Sequence, residues 1–141
     1  MVDFIIKQWD KNKEILRKYF ENNTADKYDQ YKKLVKLVLE LIVNKDNNVY
    51  GEEIDVDKLQ EIDFGDYQGT LIYIFPTNIY QPSIYDTFYT SVHYGSCSGC
   101  DTLMGIFNYY DEKPSKEQVD ELMTLCLHLV QNTRRFKEWE E

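Results

Sequence analysis

The segment Thr70-Leu-Ile-Tyr-Ile-Phe-Pro76 decides the fold class of this chain. Its residues are mostly β-branched or aromatic and it stops at a proline, a pattern that predicts an interior β-strand. Residues 85–94 then alternate between two faces. One face carries Phe88, Thr90, Val92 and Tyr94, and the other carries Thr87, Tyr89, Ser91 and His93. This alternation predicts a second strand with one polar face.

Two amphipathic helices are predicted before the strands. Apolar residues recur at three- and four-residue steps between Phe4 and Phe20, which is typical of a helix with one buried face. Asn22, Asn23 and Thr24 interrupt the pattern, and any of the three could cap the next helix. That second helix should run to about Val43. Its polar stripe is narrow, so we expect it to be largely buried.

The remaining elements follow from turn and capping residues. Residues 52–64 predict a strand or a short helix that leads into a turn at 65–69. Ser98 with Asp101, and Ser115 with Gln118, match capping boxes and predict two C-terminal helices, the last with a polar stripe reaching Arg135. The predicted fold is therefore α+β, with two N-terminal helices, an antiparallel sheet of about three strands and two C-terminal helices. Its 141 residues suit a single domain, 1–141.

Features of the sequence bear on where the protein resides. Asp3, Lys7 and Asp10 interrupt what would be the apolar core of a secretion signal. The densest apolar stretch, 37–43, contains Glu40 and is shorter than the ~18 residues that a membrane span needs. Three cysteines without a secretion signal favour a reducing compartment. We therefore expect a soluble, cytoplasmic protein that does not bind membranes.

The acidity of the chain lies in its middle. The net charge of the chain is −9. Residues 51–113 hold two Lys/Arg against eleven Asp/Glu, whereas positive and negative residues are equal in number in the rest of the chain. This region would repel a phosphate backbone, which disfavours direct nucleic-acid binding. A basic protein partner is compatible with it.

The acidic stretch is the predicted partner-binding surface. We expect it to act with a neighbouring tyrosine, because an acidic, aromatic surface can steer and hold a basic protein. The alternative is a solvated acidic face with no partner. The spacing lacks the pattern of a calcium-binding loop. The residues of this predicted surface are Glu52, Glu53, Asp55, Asp57, Glu61, Asp63, Asp66 and Tyr67.

One further segment combines residues that could react or bind a ligand with glycines that permit a tight turn, and it supports several hypotheses. It consists of His93, Tyr94, Gly95, Ser96, Cys97, Ser98, Gly99, Cys100 and Asp101. It could be a tight strand-to-helix corner with both cysteines packed as small hydrophobic residues. It could be a thiol-disulfide redox site, in which Cys97 attacks and Cys100 resolves. Cys97 and Cys100 are also weak candidates for a zinc-stabilised scaffold, although four ligands cannot be assembled.

A fourth hypothesis is a pocket of backbone amides at this corner that sequesters an anion such as a nucleotide. Neither histidine can be paired with a serine or cysteine from spacing alone, so no catalytic residue is assigned. The sequence predicts no cofactor.

Three stretches carry a resemblance to known proteins. They are Asp66-Tyr-Gln-Gly-Thr-Leu-Ile-Tyr-Ile-Phe-Pro76, Tyr80-Gln-Pro-Ser83 and Tyr94-Gly-Ser-Cys-Ser-Gly-Cys-Asp-Thr-Leu103. In these the chain resembles small uncharacterised proteins encoded by bacteriophages. That family has no assigned activity, so the resemblance implies only a context. The implied context is a viral accessory protein made inside a bacterial cell. Together with the acidic surface, this context leads us to expect a non-enzymatic protein that binds a host or viral protein, and inhibition of a host defence system is one version of that function.

Overall fold

The computed structural model describes residues 3–47, 53–65, 69–94, 103, 106 and 113–136. Three α-helices have both ends within these residues: α1 (Asp3–Asn22), α2 (Tyr31–Val38) and α3 (Lys116–Gln131). The strands are β1 (Gln60–Gly65), β2 (Gly69–Pro76), β3 (Thr87–Tyr94) and β4 (Arg134–Arg135). They form one antiparallel sheet in the order β1-β2-β3-β4. The α+β class is confirmed.

The two long strands pair as their alternation predicts. Tyr73 of β2 lies opposite Thr90 of β3, and both are buried. Leu71, Phe75 and Phe88 share this inner face of the sheet and are also buried. His93, on the opposite face, is exposed. Each strand therefore has one face directed into the core, as expected for a sheet covered on one side.

The helices cover the inner face of the sheet. The Phe4 ring of α1 meets the Phe88 ring of β3 edge-on, with 5.8 Å between centroids. The Thr90 hydroxyl donates a hydrogen bond to the Leu129 carbonyl of α3 at 2.9 Å. The core lies between these layers.

The second helix ends against two amide side chains of α1. It runs to Val43, as predicted, but its last turn, Leu39–Val43, is a π-helix. Asn12, which is 2% exposed, donates from Nδ2 to the Ile42 carbonyl at 3.0 Å, and Gln8 donates to the carbonyls of Val43 and Lys45. These amides satisfy carbonyl groups that the helix end would otherwise leave unpaired.

Three details differ from the sequence-based expectation. Gln30 precedes α2, so none of Asn22, Asn23 and Thr24 caps that helix. The sheet has four strands instead of three, because α3 ends at Gln131 and the chain turns to pair Arg134 and Arg135 with β3. Arg135 is thus not part of the last helix.

The predicted C-terminal helices are partly described. Of the helix expected over 102–110, the structure describes Leu103 and Ile106, both helical and buried. The predicted cap of α3 is confirmed, because the Ser115 hydroxyl accepts from the Gln118 amide and Gln118 accepts from the Ser115 amide. The cap proposed for Ser98 and Asp101 lies outside the described residues.

Gly69, at the start of β2, has no space for a side chain. A Cβ atom there would lie 2.2 Å from the Phe64 carbonyl oxygen, which is backbone and cannot move aside without shifting β1. We expect Gly69→Ala to lower the free energy of unfolding by about 1–3 kcal/mol, as overpacking does. Urea denaturation measures this. Thr70→Ser, which keeps the hydroxyl that contacts His93, is the neighbouring control, and an equal effect of both substitutions would show that the close approach is unimportant.

Candidate functional site

The residues predicted to bind a partner separate into groups. Asp55 is close to Lys58, with 3.7 Å between Oδ2 and Nζ, and Glu53 and Asp57 are exposed. Glu61 and Asp63 lie on β1, two residues apart and therefore on the same face. Glu52, Asp66 and Tyr67 lie outside the described residues. The structure thus brings Glu61 and Asp63 together and places the other described acids elsewhere.

Glu61 and Asp63 line an open cleft of about 380 Å³ between the start of α2 and the inner face of the sheet. We call it the β1 cleft. It is lined by Asp29, Gln30, Tyr31, Lys32, Glu61, Asp63, Leu71, Tyr73, Tyr94 and Leu103.

The cleft exists because the inner face of the sheet extends beyond its helical cover. Glu61 lies opposite Tyr73, and Asp63 lies opposite Leu71. The two carboxylates therefore continue the row of side chains that forms the core on β2 and β3. Every residue of β1 is exposed, whereas Leu71 and Tyr73 are buried. Polar side chains replace apolar ones where the inner face meets water.

Two tyrosines hold these carboxylates. The Tyr73 hydroxyl donates to Glu61 Oε2 at 2.6 Å, and the Tyr94 hydroxyl donates to Asp63 Oδ1 at 2.5 Å. Burial, and then the hydrogen bond to Glu61, raises the pKa of the Tyr73 phenol well above its usual range. Tyr73 therefore keeps its proton and remains a donor. The hydrogen bonds limit the orientations of both carboxylates before any ligand arrives.

The charges around the cleft are only partly balanced. Asp29 pairs with Lys33 at 2.7 Å. In the part of the chain that the structure describes, no Lys or Arg forms an ion pair with Glu61 or Asp63. Lys32 is the one cation among the residues lining the cleft. Glu61 and Asp63 are thus available to a positively charged group from outside.

The segment 93–101 is described only at its first two residues. His93 faces the outer side of the sheet, where its Nδ1 is 3.0 Å from the Thr70 hydroxyl. Tyr94 faces the opposite side and lines the β1 cleft. Gly95, Ser96, Cys97, Ser98, Gly99, Cys100 and Asp101 lie outside the described residues, so the corner, redox, zinc and anion-pocket hypotheses stay predictions.

The described cysteine is not a reactive site. Cys126 of α3 is fully buried, and burial raises the pKa of its thiol, so it stays protonated. His128 is exposed, so these two residues face different ways. Within the described ranges, no cluster of three His, Cys, Asp or Glu could hold a metal ion. In the same ranges, no helix is long and apolar enough to cross a membrane.

Sequence reasoning did not identify several residues of the cleft. Tyr31 and Lys32 begin α2 and Asp29 lies just before it, about 30 residues before β1. The sequence pattern predicts Tyr73 as part of an interior strand and gives it no role in a site. The pairing of Glu61 with Tyr73 depends on the β1–β2 register, and the alternation of residues within one strand does not determine that register.

No protein-family model, curated protein or solved structure matches this chain.

Proposed function

We propose that this protein is a non-enzymatic binding protein that engages a basic protein partner at the β1 cleft. The observation that carries the proposal is the pair Glu61 and Asp63. Both are exposed, neither has an ion-pair partner among the described residues, and tyrosine hydroxyls orient both at the rim of a cleft of about 380 Å³.

The chemistry of the cleft suits a lysine or arginine side chain of the partner. A carboxylate makes charge-assisted hydrogen bonds with ammonium and guanidinium groups, and these are roughly twice as strong as neutral ones. Tyr94, which is partly exposed and lines the cleft, supplies aromatic surface for the carbon chain of such a residue. The net charge of −9 adds long-range attraction and raises the association rate.

The biological context of the proposal comes from the sequence. The resemblance to bacteriophage proteins makes the partner a host or viral protein inside a bacterial cell, and a component of a host defence system is one such partner. A basic groove that normally holds a nucleic-acid backbone is a suitable target for an acidic surface. The thiol-disulfide, zinc and nucleotide-sequestering alternatives depend on Cys97, Cys100 and their neighbours, which lie outside the described residues.

Neutralising the two carboxylates tests the proposal. Glu61→Gln with Asp63→Asn removes two charges but keeps oxygen acceptors for Tyr73 and Tyr94, so the fold should persist. We expect capture of the partner from bacterial lysate to weaken about tenfold, which corresponds to a loss of about 1.4 kcal/mol. Capture by the unchanged protein should also weaken as salt rises.

The matched control removes the same charge elsewhere. Glu117→Gln with Glu121→Gln changes two exposed carboxylates of α3 that do not line the cleft. This variant should capture the partner as the unchanged protein does. Equal capture by both double variants, or capture that does not respond to salt, would contradict the proposal.

A further inference from the structure

We propose that the outer edge of β1 accepts an extended segment of the partner as an additional strand of the sheet, with basic residues at alternate positions. This inference rests on the proposed function and specifies how the partner binds. In this arrangement, backbone hydrogen bonds to β1 would add to the ion pairs that the partner forms with Glu61 and Asp63.

β1 is an edge strand with an open side. It pairs with β2 through six consecutive residue pairs, and none of the described residues pairs with its other side. All six of its residues are exposed, including Ile62 at 37% and Phe64 at 60%. Along such an edge, every second residue directs its N–H and C=O groups away from the sheet. These groups are ready to pair with another strand.

The two edges of the sheet differ in how they are protected. Proteins usually guard an edge by making it short, by bulges, by proline, or by charged side chains, lysine above all. The β4 edge consists of two residues, Arg134 and Arg135, and both carry charge. β1 has no proline and no lysine, and its pairing with β2 runs without a bulge from Gln60 to Gly65. β1 also carries two charges, Glu61 and Asp63, which oppose an acidic strand but attract a basic one. Of the two described edges, β1 is therefore the one suited to addition of a basic strand.

The side chains of β1 define the segment that would fit. Residues of an added strand that lie opposite Glu61 and Asp63 would share their face, with Cβ atoms about 4.5–5.5 Å away. Lysine or arginine at those two positions would form cross-strand ion pairs beside the cleft. On the other face, Ile62 lies opposite Ile72, so an apolar residue of the added strand would extend an existing apolar row.

The same side chains argue against a second copy of this chain as the occupant. Two β1 strands paired antiparallel about a two-fold axis present matching faces to each other. Glu61 and Asp63 of one copy would then lie against Glu61 and Asp63 of the other. Like charges directly opposite each other destabilise a strand pair, so the edge favours a basic segment.

The test uses a defined peptide, acetyl-Thr-Lys-Val-Lys-Val-Lys-Thr-amide, titrated into the ¹⁵N-labelled full chain. We expect the largest amide shifts, and slower hydrogen exchange, at alternate residues of 60–65. Glu61→Gln with Asp63→Asn should weaken binding of the peptide at least fivefold. Glu117→Gln with Glu121→Gln should leave that binding unchanged. Failure of the peptide to bind, or shifts centred away from β1, would overturn the inference.

Backbone N-methylation separates strand addition from charge attraction. Two further peptides carry N-methyl groups on the three lysines or on the two valines. In a strand, the amides of these two sets point to opposite sides, so one peptide should lose at least tenfold in affinity and the other should bind like the parent. Equal binding by both would overturn strand addition. If capture of the partner still depended on Glu61 and Asp63, the proposed function would stand without it.

Discussion

Replacing Asn12 by aspartate is expected to lower the free energy of unfolding by about 3–5 kcal/mol at neutral pH, as an uncompensated buried charge does. The Asn12 side chain is 2% exposed, and its Nδ2 donates to the carbonyls of Ile42 and Lys45 at 3.0 and 3.4 Å. Asn12→Asp would place carboxylate oxygens against these acceptors. The hydrogen-bond donor would be lost, and water could not reach the new charge to solvate it.

The loss should depend on pH in a defined direction. Burial and the surrounding carbonyl oxygens disfavour the ionised form of the introduced carboxyl, so its pKa in the folded protein should exceed the unfolded value of about 3.9. The charge penalty is then absent below about pH 4 and grows as the pH rises toward the raised pKa. Urea denaturation between pH 4 and pH 7 measures this trend.

Asn12→Ala is the matched control for this prediction. It removes the same donors without adding a charge, so we expect a loss of about 1–3 kcal/mol that does not vary over this pH range. If Asn12→Asp matched Asn12→Ala at pH 7, the side chain would not be buried against the helix end as described.

Above pH 10, the protein is expected to lose stability because two phenols stay protonated in the folded state. Burial raises the pKa of Tyr28 and Tyr73 from the ordinary value of 10.0 to well above their usual range. The unfolded chain then releases these protons while the folded protein retains them. The contribution of these two phenols to the free energy of unfolding is fully present below pH 10. It declines as the pH rises, by up to about 1.4 kcal/mol per pH unit for each tyrosine.

Single substitutions assign this effect to its residues. Tyr73→Phe should reduce the decline above pH 10, because the substituted side chain has no proton to release. Tyr28→Phe should do the same, although it also removes the hydrogen bond from the Tyr28 hydroxyl to the Asn23 carbonyl at 2.7 Å. Tyr80→Phe makes the same chemical change at a position that is 87% exposed and serves as the control. Denaturation between pH 8 and pH 11 gives the slopes. A wild-type slope in both Tyr28→Phe and Tyr73→Phe would be incompatible with the buried phenols described.

The cleft illustrates how far a candidate site can be traced from sequence. The acidic stretch was visible as a run of charge, and it includes Glu61 and Asp63. The run does not show that Glu53, Asp55 and Asp57 lie apart from that pair. Their separation arises because the chain forms a short helical turn at Val56–Lys58 before β1 begins. Sequence patterns over 52–64 allowed both a strand and a short helix, and the structure contains one of each.

By itself, the sequence determined what depends on neighbours along the chain. The alternation in 87–94, the amphipathic spacing of α1 and the capping box of α3 each involve residues within a few positions, so local physics was sufficient to predict them. Tertiary structure alone decided the pairing of β4 with β3, the contact of Asn12 with the end of the second helix, and the meeting of Glu61 with Tyr73. Each of these joins residues at least a dozen positions apart in sequence, and each depends on strand register or helix packing, which a local pattern does not encode.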